Sequence, residues 1–270
     1  MAATYHLISP RQQEISKIYE TLCHRYGRFE VWQDFVQVIA CAISNSVDLV
    51  NADAREARYM NIVKKYARAE VEAMGRVFGA IVNGMEEQPD SDFLGELYMI
   101  LELGNKHSGQ FFTPYHVSRL MAHVTLHAER VRADIAREGW ASLSDCACGA
   151  GAMLVAAANR LREVGIDYQR DVLFIGQDID YTVGLMCYIQ LSLRGCAGYV
   201  RIGDTLREPL TGNVLIAGKD ANTWITPMYF SDHWTLRRLR ARREAREAAR
   251  PVEVVSGLNG QMRFDFGGET

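Results

Sequence analysis

The chain has 270 residues, of which 48% are hydrophobic, and a formal net charge of −3. That length suits one large domain, or a compact helical domain followed by a second one, with enough apolar residues for a sizeable core. The charge argues against a chain coated along its whole surface by nucleic acid, although a local basic patch in a mildly acidic whole still binds phosphates.

The six cysteines, Cys23, Cys41, Cys146, Cys148, Cys187 and Cys196, form no C-x2-C pair and are too sparse for a secreted disulfide scaffold. They read as reduced core thiols. Cys146 and Cys148 suit alternate faces of an extended segment, with no histidine nearby, so no metal is expected. The opening MAATYHLISP lacks a basic start followed by an apolar stretch, and no window approaches the roughly 18 apolar residues of a membrane span. The expected location is the cytoplasm, away from membranes.

Residues 10–103 read as helical throughout. Ile15, Ile18, Tyr19 and Leu22 share one face; Phe35, Val36, Val38, Ile39 and Ile43 suggest a more fully buried helix. Val71, Met74, Val77, Phe78, Ile81 and Val82 repeat the helical spacing. Breaks are expected at 25–28, 44–51 and 86–91, where Gly, Asn, Asp and Pro cluster, and Asp92 caps a last apolar helix over 93–103. After Pro114, which suits a first helical turn, the pattern predicts a helix over 115–130 with Val117, Leu120, Met121, Val124 and Leu126 apolar.

From Trp140 the pattern changes to strand, helix, strand, helix, strand, which implies a parallel sheet. Leu143 ends a short strand at Asp145, and Gly149 and Gly151 bracket Ala150 before the apolar run Ala152 to Val155. Glycine lets the backbone turn tightly and approach a ligand, and the helix that follows offers unpaired N–H groups to a carboxylate or phosphate. Val172 to Gly176 is a continuous apolar run suited to a strand buried on both faces, and it ends in Gln177, Asp178, Ile179 and Asp180. An acidic residue at that strand end is placed to hydrogen-bond ribose hydroxyls in nucleoside-binding α/β folds. A third strand, 199–203, ends in Asp204. The stretch of residues 142–157, a short strand, the glycine turn and the opening of a helix, is therefore the expected seat of a nucleoside cofactor.

The hexapeptide at 109–114, GQFFTP, followed by DCACGAG at 145–151, resembles the GQFFTP and DPACGTG signatures of S-adenosylmethionine-dependent DNA adenine N6-methyltransferases. The nearest likeness is to the modification subunit of type I restriction systems, and it is continuous from roughly residue 104 to 206. The resemblance implies a Rossmann-like α/β methyltransferase core, a parallel sheet flanked by helices, preceded by a helical region. It divides the chain into a helical part (1–104), an S-adenosyl-L-methionine-binding core (105–234) and a basic helix with a loose tail (235–270). It also implies DNA as substrate and a specificity or other subunit as partner.

By that likeness Phe112, Thr113, Asp145, Gly149 and Gly151 surround the methionine and loop side, Asp178 the ribose and Asp204 the cofactor's adenine. Phe111, Ala147, Ile179 and Thr205 complete the set. Phe111 and Phe112 have a plainer reading as buried aromatics. Cys146 stands where the family has proline, which loosens the turn and removes no ligand. The helical region has a counterpart in the family that contacts partner and DNA; as a packing platform for the sheet it would look the same.

Adenine N6 transfer needs an acceptor for the amino protons, which the family supplies in an N-P-P-F or D-P-P-Y stretch. No such tetrapeptide occurs here. The nearest is Thr226, Pro227, Met228, Tyr229, after an expected strand at 213–217. It keeps the first proline and the aromatic but has a hydroxyl where the amide or carboxylate stands. Loss of a preorganised polar group costs about 10² to 10³ in rate by analogy with oxyanion donors, so this site reads as weakened or lost. Asn222 and Asp232 are the other acceptors within reach in sequence. The stretch 235–251 is helical by propensity, with Arg237, Arg238, Arg240, Arg242, Arg243, Arg246 and Arg250, and reads either as a solvated helix or as a contact to DNA or a partner. Two readings follow: an adenine-specific DNA methyltransferase, or a cofactor-binding relic of one that serves as a subunit or regulator.

Overall fold

The computed structural model describes residues 9–103, 112–248, 254–256 and 262–264. Five helices come first: α1 (Pro10–Leu22), α2 (Arg28–Asn45), α3 (Ala52–Val63), α4 (Arg68–Glu87) and α5 (Phe93–Ile100). Ser9 begins the series with a capping box, its hydroxyl accepting from the Gln12 amide while the Gln12 side chain accepts from Ser9 N–H. Asp92 caps α5 as expected, accepting from Gly95 N–H. A further break, between α3 and α4, follows from Glu70, which turns back to accept the Ala67 amide and starts a new helix there. α1 packs along α4, and α2 along α3.

Next come α6 (Tyr115–Thr125) and α7 (Ala128–Glu138), so the helix expected over 115–130 is two helices, divided where Leu126 and His127 turn extended. Its apolar stripe also faces the other way. Val117, Leu120, Met121 and Val124 are exposed, whereas Ser118 and Ala122 are buried as α6 rests on the helix after the glycine loop. Small side chains let two helices approach closely, and here they take the interface from the larger ones.

The sheet has β1 (Ala141–Asp145), β2 (Val172–Asp178) and β3 (Ala197–Ile202) parallel and in that order, with α8 (Ala152–Glu163), the short α9 (Tyr168–Asp171) and α10 (Tyr181–Leu193) between them. Gly165 ends α8 in the left-handed region at φ 74°. The stretch 213–217 is not a strand. Its backbone turns under Asn213, whose side chain accepts from Leu215 N–H, and is clamped by the Tyr229 hydroxyl, which donates to Leu215 O and accepts from Ala217 N–H. β4 (Thr223–Ile225) comes later and runs antiparallel on the outer side of β3. A 3-10 turn (Pro227–Phe230) leads into α11 (Asp232–Ala248), and β5 (Val254–Ser256) pairs with β6 (Met262–Phe264) as a hairpin.

Alternation along the strands makes two cores. Phe174 and Val200 point toward α8, α10 and the helical region, and Leu173, Ile175, Ala197 and Tyr199 point toward Tyr229, Trp234 and Ala241. Cys41, Cys148, Cys187 and Cys196 are buried free thiols as expected, but Cys146 is exposed and Cys23 half-buried. Among the described residues no group of three or more acidic, His or Cys side chains could hold a metal, and no helix is long and apolar enough to cross a membrane.

Arg55 on α3 fastens the helical region to the sheet. Its buried guanidinium donates to Asp48 at 2.6 Å, to the Ser44 hydroxyl and to Thr223 O at 2.8 Å, and it stacks 4.2 Å over the Trp224 ring. Arg55→Leu leaves the Asp48 carboxylate buried without its cation, a loss of about 3–5 kcal/mol. Thermal melting should fall by roughly 10 °C; an unchanged midpoint would show that Arg55 does not hold the two parts together.

Candidate functional site

Three parallel strands carry their carboxyl ends to one edge of the sheet, and the loop after β1 folds back over that edge. Cys148 N–H donates to Gln177 O at the end of β2 (3.0 Å), and Gly151 N–H donates to Cys148 O (2.8 Å). The turn requires left-handed backbone at Gly149 (φ 54°) and at Gly151 (φ 99°), where a Cβ would also stand 2.9 Å from the Cys187 sulfur. The loop thus closes directly onto α10, and α8 begins with its first amides at the same edge.

The carboxylates there are partly committed. Asp178 accepts Gly149 N–H at 2.8 Å through one oxygen and Asp180 N–H at 2.9 Å through the other, which leaves each oxygen a second lone pair for a ligand hydroxyl. Asp145 accepts Ala147 N–H at 3.1 Å. Burial holds its carboxyl above the usual range, and the charge of Asp178 adds to that. Asp204, after β3, accepts Leu206 N–H, and Thr205 donates to Cys146 O at 2.6 Å, which ties the third strand's loop to the first. Ile179 is 70% exposed beside Asp178, an aliphatic side chain left uncovered at the mouth.

Phe112 closes the other side. Its ring is the nearest group to the position a Gly149 Cβ would take, at 3.8 Å, and it packs against Tyr98 with centroids 5.2 Å apart. Thr113 is exposed next to it. The structure therefore brings Phe112, Asp145, Ala147, Gly149, Gly151 and Asp178 around one loop, with Ile179, Asp204 and Thr205 on the adjoining strand ends. Phe111 lies outside the described residues.

Thr226, Pro227, Met228 and Tyr229 are not part of this cluster. β4 runs antiparallel to β3, so the chain leaves it at the opposite edge, and Thr226 pairs with Gly198, roughly 16 Å along the strand from Gly203. The Thr226 hydroxyl is fully buried; it accepts from Gly198 N–H at 2.9 Å and donates to Cys196 O at 2.7 Å. Tyr229 is buried too, with its ring under Arg238 and its hydroxyl in the clamp on 215–217. The physical reason is the strand direction, which composition does not encode. Asp232 lies at this far edge, beginning α11, whereas the exposed Asn222 precedes β4 and its carbonyl accepts Ile202 N–H at the end of β3.

The arginine-rich helix is also at the far edge. Arg237 donates to Gly139 O and Arg170 O, before β1 and β2, and Arg238 donates to Tyr229 O. Arg240 and Arg243 pair with Glu244 and Glu247. Two clefts, of about 450 and 300 Å³, are lined by Arg170, Met228 and His233 and by Tyr199, Arg201 and Glu208 respectively, with none of the loop residues in either.

Two contributors escaped the sequence reading. Beneath the loop the Cys187 thiol is held well above its usual range, first by a hydrogen bond with Cys148 and then by burial. Gln190 donates to Ala150 O at 2.8 Å. The available signal was a lone amide in an otherwise apolar helix.

The N-6 DNA methylase family profile matches residues 90–256. A type I restriction enzyme methylase subunit, MjaIX, of Methanocaldococcus jannaschii is 28% identical over 136 residues, which take in 48% of this chain and 22% of that protein. The chain thus spans about a fifth of that curated relative's length. A structure described as a class I S-adenosylmethionine-dependent methyltransferase from Listeria monocytogenes superposes with TM-score 0.40 at 15% identity, over 76% of this chain and 57% of that one. A type I restriction-modification methyltransferase subunit from Streptococcus thermophilus gives 0.39 at 17%, over 78% and 43%. Since the family match takes in more than half of the 270 residues and crosses the whole glycine-loop site, the chain belongs to the N-6 DNA methylase family.

Proposed function

We propose that this chain binds S-adenosyl-L-methionine at the loop of residues 146–151 and serves methyl transfer to the N6 amine of adenine in DNA, in company with a specificity or other subunit. The observation that carries the proposal is the convergence of Asp145, Gly149, Asp178 and Phe112 on one strand edge. The donor set fits this cofactor. Asp145, raised by burial, suits an ammonium group; Asp178 retains lone pairs for ribose hydroxyls; and uncovered Ile179 suits a flat apolar ring. When bound, the cofactor supplies an electrophilic methyl group. Phe112 and the loop exclude water from one side, and a target adenine has to leave its duplex to reach the edge.

The amino-proton acceptor is supplied from outside the tetrapeptide. Thr226 already uses its hydroxyl inside the protein and Tyr229 has no free face for a base, so we assign both to the fold. Asn222, exposed beyond β3, is the acceptor candidate at the end of the sheet nearer the loop. The buried tetrapeptide favours a second reading, a subunit that holds the cofactor while another chain completes the chemistry.

Asp178→Asn keeps the side chain's shape but replaces one acceptor oxygen, so calorimetry with S-adenosylhomocysteine should show about tenfold weaker binding. Undiminished affinity in the folded variant would remove Asp178 from the pocket.

An ammonium group binds the ionised form of Asp145, and protons compete for it. Affinity for S-adenosylhomocysteine should therefore fall as pH is lowered through the raised pKa of Asp145, and Asp145→Asn should flatten that part of the profile. A parent profile as flat as the variant's would refute the role.

Methyl transfer from labelled cofactor to DNA, assayed for N6-methyladenine with and without candidate partner chains, tests the function itself. Thr226→Val should lower stability by about 1–3 kcal/mol, because Gly198 N–H loses its buried acceptor, and leave transfer per folded molecule unchanged, whereas Asn222→Ala should reduce transfer. A Thr226→Val protein that is as stable as the parent but inactive would restore the tetrapeptide as the site. Cofactor binding without transfer under any condition would establish the second reading.

A further inference from the structure

Gln190 stands in the middle of α10 with no exposure, and every group around its amide is assigned. The amide nitrogen donates to Asp92 Oδ1 at 2.6 Å and to Ala150 O at 2.8 Å, and its oxygen accepts Leu94 N–H at 3.4 Å. Asp92 Oδ1 also accepts Gly95 N–H, capping α5. The orientation of the amide is determined by these partners. Turned over, its oxygen would face a carboxylate and a carbonyl.

Ala150 lies between two glycines at positive φ, where the backbone is least constrained by side chains. The peptide plane joining Ala150 to Gly151 is gripped on both sides. Gln190 holds the carbonyl, and Cys148 O takes the Gly151 N–H at 2.8 Å. The carbonyl belongs to a residue 2% exposed, so loss of its donor strands a buried acceptor unless the plane rotates, and rotation also breaks the Gly151 bond.

The far end of the chain of bonds is equally well anchored. Arg194, at the end of α10, donates to Pro89 O and Ser91 O at 2.8 Å each, and Asn159 of α8 donates to Pro89 O at 2.9 Å. The segment that presents Asp92 is therefore fixed to both helices that flank the loop.

We propose that Gln190 is a positioning residue for the glycine loop, transmitting the fixed N-terminus of α5 through Asp92 to the Ala150 carbonyl and so holding the loop in its ligand-binding shape. The helical region thereby acts on the site without touching the ligand. This rests on the reading of the loop as the cofactor's seat.

Two variants separate positioning from mere packing. Gln190→Met removes both donated bonds at nearly constant volume. The exchange Asp92→Asn with Gln190→Glu keeps the total charge and a donor–acceptor pair at positions 92 and 190 with the donor on residue 92, at the expense of the Gly95 N–H bond to the shared oxygen, and sets a carboxylate oxygen against the Ala150 carbonyl. Two readouts are taken on the full chain: calorimetry with S-adenosylhomocysteine, and fluorine NMR of a trifluoromethyl tag on Cys146, the exposed thiol in the loop. The expected result is cooperative melting in both variants, about tenfold weaker binding and a shifted or broadened Cys146 resonance. Parent-like affinity and resonance in the exchange variant would overturn the proposal, as would weaker binding that follows only the unfolded fraction while the folded Cys146 signal stays in place. If the parent itself binds no S-adenosylhomocysteine, the cofactor reading fails, and the Cys146 resonance alone decides whether Gln190 positions the loop.

Discussion

Helix α10 has no solvent face. Ten of its residues, from Thr182 to Leu191, are buried on all sides, with β2 and β3 against one flank and α2 and α5 against another. A helix apolar all round must be enclosed, and the four-stranded sheet covers only one side of it. The helical region supplies the rest. Trp32 of α2 lies fully buried with its indole N–H 3.5 Å from the Met186 sulfur, Gln33 reaches Thr182, and Arg55 bonds to the backbone of β4. A packing platform is therefore part of what residues 10–103 provide.

The glycine loop depends on that enclosure. Gly151 touches Cys187 and Ala150 bonds to Gln190, both on α10, so the loop's floor is a helix whose own position is set from the amino-terminal side. Its roof is Phe112, backed by Tyr98 of α5. Between floor and roof Asp145 and Asp178 lie near enough for the charge of Asp178 to raise the Asp145 pKa, a cost that the cation of the proposed ligand would relieve.

The opposite edge of the sheet serves stability. There Thr226 stands in for a strand partner, Tyr229 clamps the 215–217 turn, Arg237 bonds to backbone carbonyls before β1 and β2, and Trp234 donates to Gln169 O. Arginines in a solvated helix and arginines tying down chain ends have the same composition. Here Arg237 and Arg238 are of the second kind, each also stacked on an aromatic ring, at 4.5 Å over Trp234 and 4.0 Å over Tyr229.

The sequence by itself determined the glycine loop, the acidic strand ends and the helical nature of residues 10–103. Each of these is a local property: a turn that needs φ > 0, a strand that expires in aspartate, a stripe with helical period. It also carried the family, because two signatures in fixed order are read directly. What only the tertiary structure decided is where segments far apart in the chain meet. The direction of β4 sends Thr226 to the far edge, because a short strand with Trp224 inward can pair with β3 either way and the packing of Trp224 against Arg55, Tyr181 and Tyr188 exists only in the fold. The stripe on α6 faces solvent because Ser118 and Ala122 allow a closer approach to α8, a preference set by the neighbour and not by hydrophobicity. Gln190 gained its role in the same way: an amide in an apolar helix marks a buried partner without naming it, and its partners lie 98 and 40 residues away.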